Sequence, residues 1–401
     1  LSLPATPFTL RAALLVLNER ENKNVSETVS EAVGIPLRLK HQADQLLADA
    51  AQCRPAARIG LMTTLYFKQG HCAQTRQRIE ACFAHFHETF RPFLKWQTYV
   101  RLRKLSPSSF ATCRRQVLEA SANEPLSWSI SSGKPVEAAS HCLSVVTAPE
   151  CQAQTDHSCL KMLLPLSMLM EQGGAKAYEG WLKYLCNQTL AEHGYGGPVC
   201  VMPGEGLRYL PLQYRLAQDY IGLMVDAGPH IESLRLLNRI KGVSWYNILG
   251  NRFVNQLGGS DRLRRALSGH SDVVFQAYEN GLMIRAGVLP DLGSKGEAPP
   301  NAYVAVNKLL KPIRVQDTGC LHPYPVRGIG FTAQSTAQWY ARFDEKPLAA
   351  VRAGQPCPQT GHWFSSAMAR SRRFFNKGDV MPAFEHLKAE RTQWFWAEVG
   401  G

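Results

Sequence analysis

The chain has 401 residues, of which 45% are hydrophobic and 19% charged, a globular composition that excludes a disordered or low-complexity protein. Lys and Arg number 45 against 32 Asp and Glu, and the resulting net charge of +13 makes nucleic acid or an acidic surface a candidate partner. No apolar run approaches the ~20 residues of a membrane span, and the best early run, from Phe8 to Leu17, carries Arg11 and no signal-peptide cleavage site, so a cytoplasmic protein is expected.

Residues 1–55 read as an N-terminal helical extension. Ala13, Leu14 and Leu17, then Leu46, Leu47 and Ala50, fall at helical spacing on either side of the polar break Glu21 to Asn24. The main domain is expected over 56–396. It opens with Arg58 to Phe67, a dense apolar run whose β-branched and aromatic content predicts a strand buried on both faces. Ile79, Cys82, Phe83, Phe86 and Phe90 then mark one face of an amphipathic helix. Ser106-Pro107 is a helix start, and Phe110, Cys113 and Val117 continue its buried face.

Leu126 to Ile130 and Cys142 to Val146 predict strands, and Leu160 to Leu169 a strand or a short buried helix. Tyr178, Trp181, Leu182 and Leu185 define a second strong helix after Gly173-Gly174. Gly194-Tyr195-Gly196-Gly197 is expected to turn, with a short strand over Val199 to Met202. Leu207 to Tyr220 reads as helical, Val243 to Leu249 as a strand, and Phe253 to Leu257 as a short helix ended by Gly258-Gly259. Asn280-Gly281 between Val273 to Ala277 and Leu282 to Arg285 is a hairpin signal. The mixture predicts an α+β fold: a mixed, substantially antiparallel sheet with packed amphipathic helices. The Gly- and Pro-rich stretch 287–300 is the candidate linker or sub-boundary.

No catalytic constellation emerges. Gly242-Val243-Ser244-Trp245-Tyr246 has the first half of a nucleophile elbow but lacks the second glycine. Asp291 and Glu345 lie near nuclease-like acid patterns, yet neither has the Glu-x-Lys spacing that a metal-dependent nuclease uses. His85 and His87 stand two apart on a helix and diverge, while His230 and His322 each adjoin a proline. None of the 11 cysteines falls in a C-x-x-C pair, so reduced, buried thiols are expected, with no metal and no cofactor. Most of the basic excess lies before residue 120. Its densest piece is Arg101, Arg103, Lys104, Arg114 and Arg115, interleaved with Trp96, Tyr99 and Phe110. A basic accessory nucleic-acid-binding protein is therefore the alternative reading.

An ordered series of short motifs goes further. Arg58-Ile59-Gly60-Leu61, Leu94-Lys95-Trp96, Tyr178-Glu179-Gly180-Trp181, Glu192 to Gly197, Gly222 to Asp226, Lys241 to Tyr246, Asn280 to Gly287, Asn307 to Pro312 and Trp339 to Phe343 follow one another in a recognisable order. Gly354 to Trp363 and Gly378 to Pro382 close it, and Thr392-Gln393-Trp394-Phe395-Trp396 departs slightly from the Trp-Gln-Trp ending of the pattern. In these motifs the chain resembles the type VI secretion immunity family paired with VRR-type nuclease effectors, over about residues 55–396. The resemblance implies a non-enzymatic protein. It would bind a cognate nuclease effector in the cytoplasm and neutralise it, with neither membrane nor nucleic acid as its partner. It also implies that Gly180, Trp181, Gly242 and Trp245 are scaffold.

Nuclease substrate grooves are usually basic, so a chain at +13 implies either an acidic effector or a local acidic patch at the contact, screened from distant charge beyond ~8 Å at ~0.15 M salt. The candidate partner-binding residues are Asp219, Tyr220, Asp226, His230 and Glu232, where carboxylates lie beside aromatic and apolar contacts.

Overall fold

A computed structural model of the chain describes residues 58–202, 210–225, 233–316, 330–345, 351–365, 371–384 and 392–396. The expected N-terminal extension lies outside them. The chain divides into two compact units, Leu1–Phe343 and Asp344–Gly401.

The first unit is built on a ten-stranded sheet in which every pairing is antiparallel. Its elements in chain order are β1 (Arg58–Phe67), α1 (Ala73–Phe90), β2 (Trp96–Tyr99), β3 (Arg101–Lys104), α2 (Pro107–Glu119), β4 (Ser127–Ser131), β5 (Cys142–Val146) and β6 (Ser158–Pro165). There follow α3 (Gly174–Thr189), β7 (His193–Val201), α4 (Leu210–Asp219), β8 (Tyr246–Gly250), α5 (Asn251–Gln256), α6 (Ser260–Ala266), β9 (Val273–Tyr278), β10 (Gly281–Ala286), α7 (Asn301–Leu310) and α8 (Ala333–Tyr340). The strand order is β3-β2-β4-β5-β6-β1-β7-β8-β10-β9. The first strand thus sits mid-sheet between β6 and β7, and this explains its unbroken apolar run: all of its residues after Arg58 are buried.

Alternation along β1 sends its side chains into two cores. Leu61, Leu65 and Phe67 join the larger one with Ile79, Phe83 and Phe86 of α1 and Tyr178, Leu182 and Leu185 of α3. Met62 and Tyr66 join the smaller one with Tyr195, Val199, Met224, Trp339 and Tyr340. Further out the sheet is covered less. Strands β4 and β5 bury alternate residues, Trp128, Ile130, Leu143 and Val145, and leave Ser129, Ser131, Cys142 and Ser144 part-exposed. Helix α2 starts at a capping box between Ser106 and Ser109 with Pro107 in its first turn. The hairpin expected at Asn280-Gly281 is formed by β9 and β10.

One local expectation needs correction. The Gly194 to Gly197 cluster is not a turn. It runs through β7, with Gly194 opposite Leu65 and Gly196 opposite Thr63. The glycines serve close approach: a Cβ at Gly196 would stand 2.9 Å from the Tyr178 hydroxyl, and one at Gly197 would stand 2.7 Å from Ser244 Oγ. Leu160 to Leu169 is both things in succession, strand β6 and then a 3₁₀ turn over Leu166–Met170 broken off by Pro165. The 287–300 stretch stays inside the first unit. Ile221 N–H donates to Gly293 O at 3.0 Å, Gly222 N–H to Leu292 O at 2.8 Å, and Leu292 is fully buried.

The second unit holds a small sheet in the order β11 (Val351–Arg352), β14 (Gln393–Trp396), β12 (Gly361–Phe364), β13 (Arg373–Phe375). Trp363, Trp394, Cys357, Phe375 and Met381 form its core. Both indoles find acceptors, Trp363 Nε1 on Gln359 O at 3.1 Å and Trp394 Nε1 on Pro382 O at 2.8 Å, as buried tryptophans require.

Candidate partner-binding surfaces

The polar residues with chemical potential are, one by one, committed to structure. Ser244 is buried. Its hydroxyl donates to Gly196 O at 2.9 Å, and its amide and carbonyl are both held by the Asn247 side chain, at 3.0 and 2.8 Å. That bracket fastens the entrance of β8 to β7, with the serine hydroxyl held by a backbone carbonyl and not by a base among the described residues. Asp291 caps a turn by accepting from Gly293 N–H at 2.9 Å. His85 stacks on Trp181 with ring centres 4.6 Å apart, and His87 stacks on Phe110 at 4.2 Å. His230 and His322 lie outside the described residues. Among the described residues, no three His, Cys, Asp or Glu side chains are grouped so as to hold a metal ion. All nine described cysteines are free thiols, six of them buried, and burial pushes the Cys82 thiol up to about 12.

Two sites are less ordinary, one buried and one half-buried. His157 and His193 meet edge to face with ring centres 5.4 Å apart, and Tyr66 stacks on His193 at 4.6 Å. His193 Nε2 lies 3.0 Å from Leu236 O, while neither ring nitrogen of His157 has a hydrogen-bond partner among the described residues. Burial holds both rings neutral: it lowers His157 to about 4 and His193 well below its usual value. The second site is Arg342, just past α8. Its guanidinium lies 3.6 Å from the Trp339 ring centre and 4.4 Å from that of Phe343. It donates to the carbonyls of Ile221, Trp339 and Val243 at 2.6, 3.1 and 3.2 Å. Burial pushes it down to about 9. A small cleft beside it is lined by Tyr195, Met224, Lys241, Ser244 and Tyr340. Arg342 therefore joins α8 to the 221 and 243 loops, and sequence spacing offered no signal for this three-way contact.

Of the five candidate partner-binding residues, two are among the described residues. Asp219, at the end of α4, is part-exposed and already paired with Lys295 at 3.4 Å. Tyr220 is not a surface contact: it is buried in the larger core and its backbone bridges to Ser294. Asp226, His230 and Glu232 lie outside the described residues.

The basic segment is placed at one end of the large sheet. Strand β3 is its last strand, and all four of its residues are exposed. The aromatics beside it are not presented as a stacking platform. Phe110 is buried under His87, and Trp96 is covered by the Lys134 ammonium, 4.9 Å from the ring centre. Arg114 is paired with Glu80. Arg101, Arg103 and Lys104 have no carboxylate partner among the described residues.

With this geometry in view, the likenesses to known proteins are specific. Residues 78–343, from within α1 to the end of the first unit, match the TsiV family, described as type VI immunity for VRR-NUC. No curated protein matches. Among solved structures, a Pseudomonas aeruginosa T6SS protein, PA0821, is similar with a TM-score of 0.65 and 26% identity, over 73% of this chain and 83% of that one.

Proposed function

The chain belongs to the TsiV family, type VI immunity for VRR-NUC, and on that premise we propose that it neutralises a cognate VRR-type nuclease effector by stoichiometric binding. The reading places it in the cytoplasm, where such a nuclease meets nucleic acid, and has it occlude the effector's active site or substrate surface. The observation that carries the proposal is the family match across the helices and large sheet of the first unit. The structural engagement of Ser244, Asp291, His85 and His87 supports a binding protein over a hydrolase.

An antidote has to outlast the toxin delivered, so slow dissociation matters more than rapid capture. Co-expression of this chain with its cognate effector is expected to restore growth, and the two are expected to co-elute as one complex. Failure of both would end the immunity reading. Metal-dependent cleavage of plasmid or RNA by the pure chain, abolished by Asp291→Ala or Glu345→Ala, would instead establish an enzyme.

A further inference from the structure

The edge strand β3 combines three features that folding alone does not require. The first is an open ladder. Leu105 N–H donates to Lys95 O at 2.8 Å, which makes that pair a hydrogen-bonded one. Antiparallel pairs alternate, so Gln97 with Arg103 is of the same kind, and Thr98 with Leu102 is of the other. The amide and carbonyl of Leu102 therefore face outward, away from β2. No strand among the described residues pairs there. The neighbouring outward carbonyl, that of Lys104, accepts from Ser109 Oγ at 3.1 Å.

The second feature is charge. Arg101 and Arg103 lie on one face of the strand and Lys104 on the other, all exposed and none facing a carboxylate among the described residues. The third is Val100. It alone separates the paired residues Tyr99 and Arg101, at a φ of 61°, and it is 92% exposed. A β-branched residue is an outlier in that region, where Gly or Asn would turn the chain without strain. At 92% exposure its side chain gains little from packing on the described residues, and an apolar contact with a partner is the use we assign to it. Leu102, 41% exposed, provides a second apolar group beside it.

We propose that β3 docks an acidic, extended segment of the effector by strand addition: the partner backbone pairs with the outward groups of Leu102, its carboxylates meet Arg101, Arg103 and Lys104, and an apolar residue covers Val100. Charge selects this occupant. A second copy of the chain would set cations against cations across the new ladder. The inference rests on the immunity reading and adds to it the chemistry of one contact. It also gives a chain of net charge +13 a contact of matching sign: nuclease substrate grooves are usually basic, so the acidic segment that β3 takes borders the surface that the rest of the chain occludes.

The test is calorimetric titration of the full chain with catalytically inactivated cognate effector at several salt concentrations. The triple variant Arg101→Glu, Arg103→Glu, Lys104→Glu changes only exposed side chains. It is expected to bind about tenfold more weakly or worse, with the salt dependence of affinity reduced. Leu102→Pro removes the outward N–H and keeps every cation; it is expected to weaken binding while the salt dependence persists. If the wild-type chain binds and both variants match it, strand addition at β3 is wrong and the immunity reading stands. If the wild-type chain does not bind, the immunity reading fails and takes this contact with it. Capture of a duplex oligonucleotide, lost in the triple variant while effector affinity is unchanged, overturns the proposal in favour of a nucleic-acid face.

Discussion

The hydroxyl of Tyr178 reaches from α3 to the middle of the sheet, where it lies 2.8 Å from Thr63 Oγ1 and donates to Met62 O at 3.0 Å. It fits there because the neighbouring strand position is glycine. Tyr178 is buried, and its ring lies parallel to that of Trp245 at 5.6 Å, so this contact fixes helix, β1, β7 and the 245 segment together.

Removing the hydroxyl in Tyr178→Phe orphans Thr63 and is expected to cost about 1–2 kcal/mol. Gly196→Ala drives a Cβ against the same hydroxyl and is expected to cost about 1–3 kcal/mol. The double variant should cost less than the sum, because the phenylalanine vacates the space that the alanine needs. Urea unfolding of the four proteins measures the cycle, and strict additivity would contradict the packing described.

That contact also shows where the sequence was legible and where it was not. Tyr178, Trp181, Leu182 and Leu185 announced a helix with a buried face, and β1 announced itself by its apolar run, because both signals are periodic and local. The four residues from Gly194 carried a turn signature, yet they form a strand. What decides their conformation is the close approach of Tyr178 and Ser244, which come from distant parts of the chain. The contacts of Arg342, within the Trp339 to Phe343 motif, were illegible for the same reason: its acceptors at Ile221 and Val243 are about a hundred residues away in sequence. The edge position of β3 depends on strand order, which spacing does not encode, although the cations that decorate it were evident.

Acid should unfold this protein early. His157 titrates near 4 in the folded state and His193 well below its usual value, against 6.5 for a solvated histidine. The unfolded chain therefore binds protons that the folded chain refuses. Stability is full above about pH 6.5 and falls as pH drops from there towards about 4, with each such histidine contributing roughly 1.4 kcal/mol per pH unit within that window. His157→Phe loses no hydrogen bond to the described residues, where neither ring nitrogen has a partner, and it keeps an aromatic ring beside Tyr66 and His193. It is expected to shift the acid-unfolding midpoint to lower pH, read by circular dichroism. An unchanged midpoint would mean that other groups govern acid unfolding.

Arg342→Lys preserves the charge and removes the planar fork. An ammonium cannot lie flat against Trp339 and Phe343 while serving three carbonyls in different directions. The substitution is expected to cost about 1.5–3 kcal/mol, the scale of losing charge-assisted hydrogen bonds at a half-buried site. Chemical denaturation checks this, and a loss under about 0.5 kcal/mol, the scale of a neutral surface change, would show that the guanidinium geometry is not what holds the 221 and 243 loops.

Val100 sets stability and binding against each other, and this separates a functional residue from a poorly chosen turn. A non-glycine residue in the left-handed region costs about 1–2 kcal/mol, and glycine gives back roughly 0.5–1 kcal/mol of that through its greater unfolded-state entropy. Val100→Gly is therefore expected to raise stability by about 0.5–1 kcal/mol, since the exposed side chain has no native packing to lose. If the valine is held for contact with the effector, the same variant should bind the effector more weakly although it is the better-folded protein. Thermal unfolding and effector titration on one preparation read both quantities. A variant that is more stable and binds as tightly as the wild type would show that Val100 is tolerated strain without a partner. A variant that is less stable would show that the hairpin tip makes a native contact that its exposure hides.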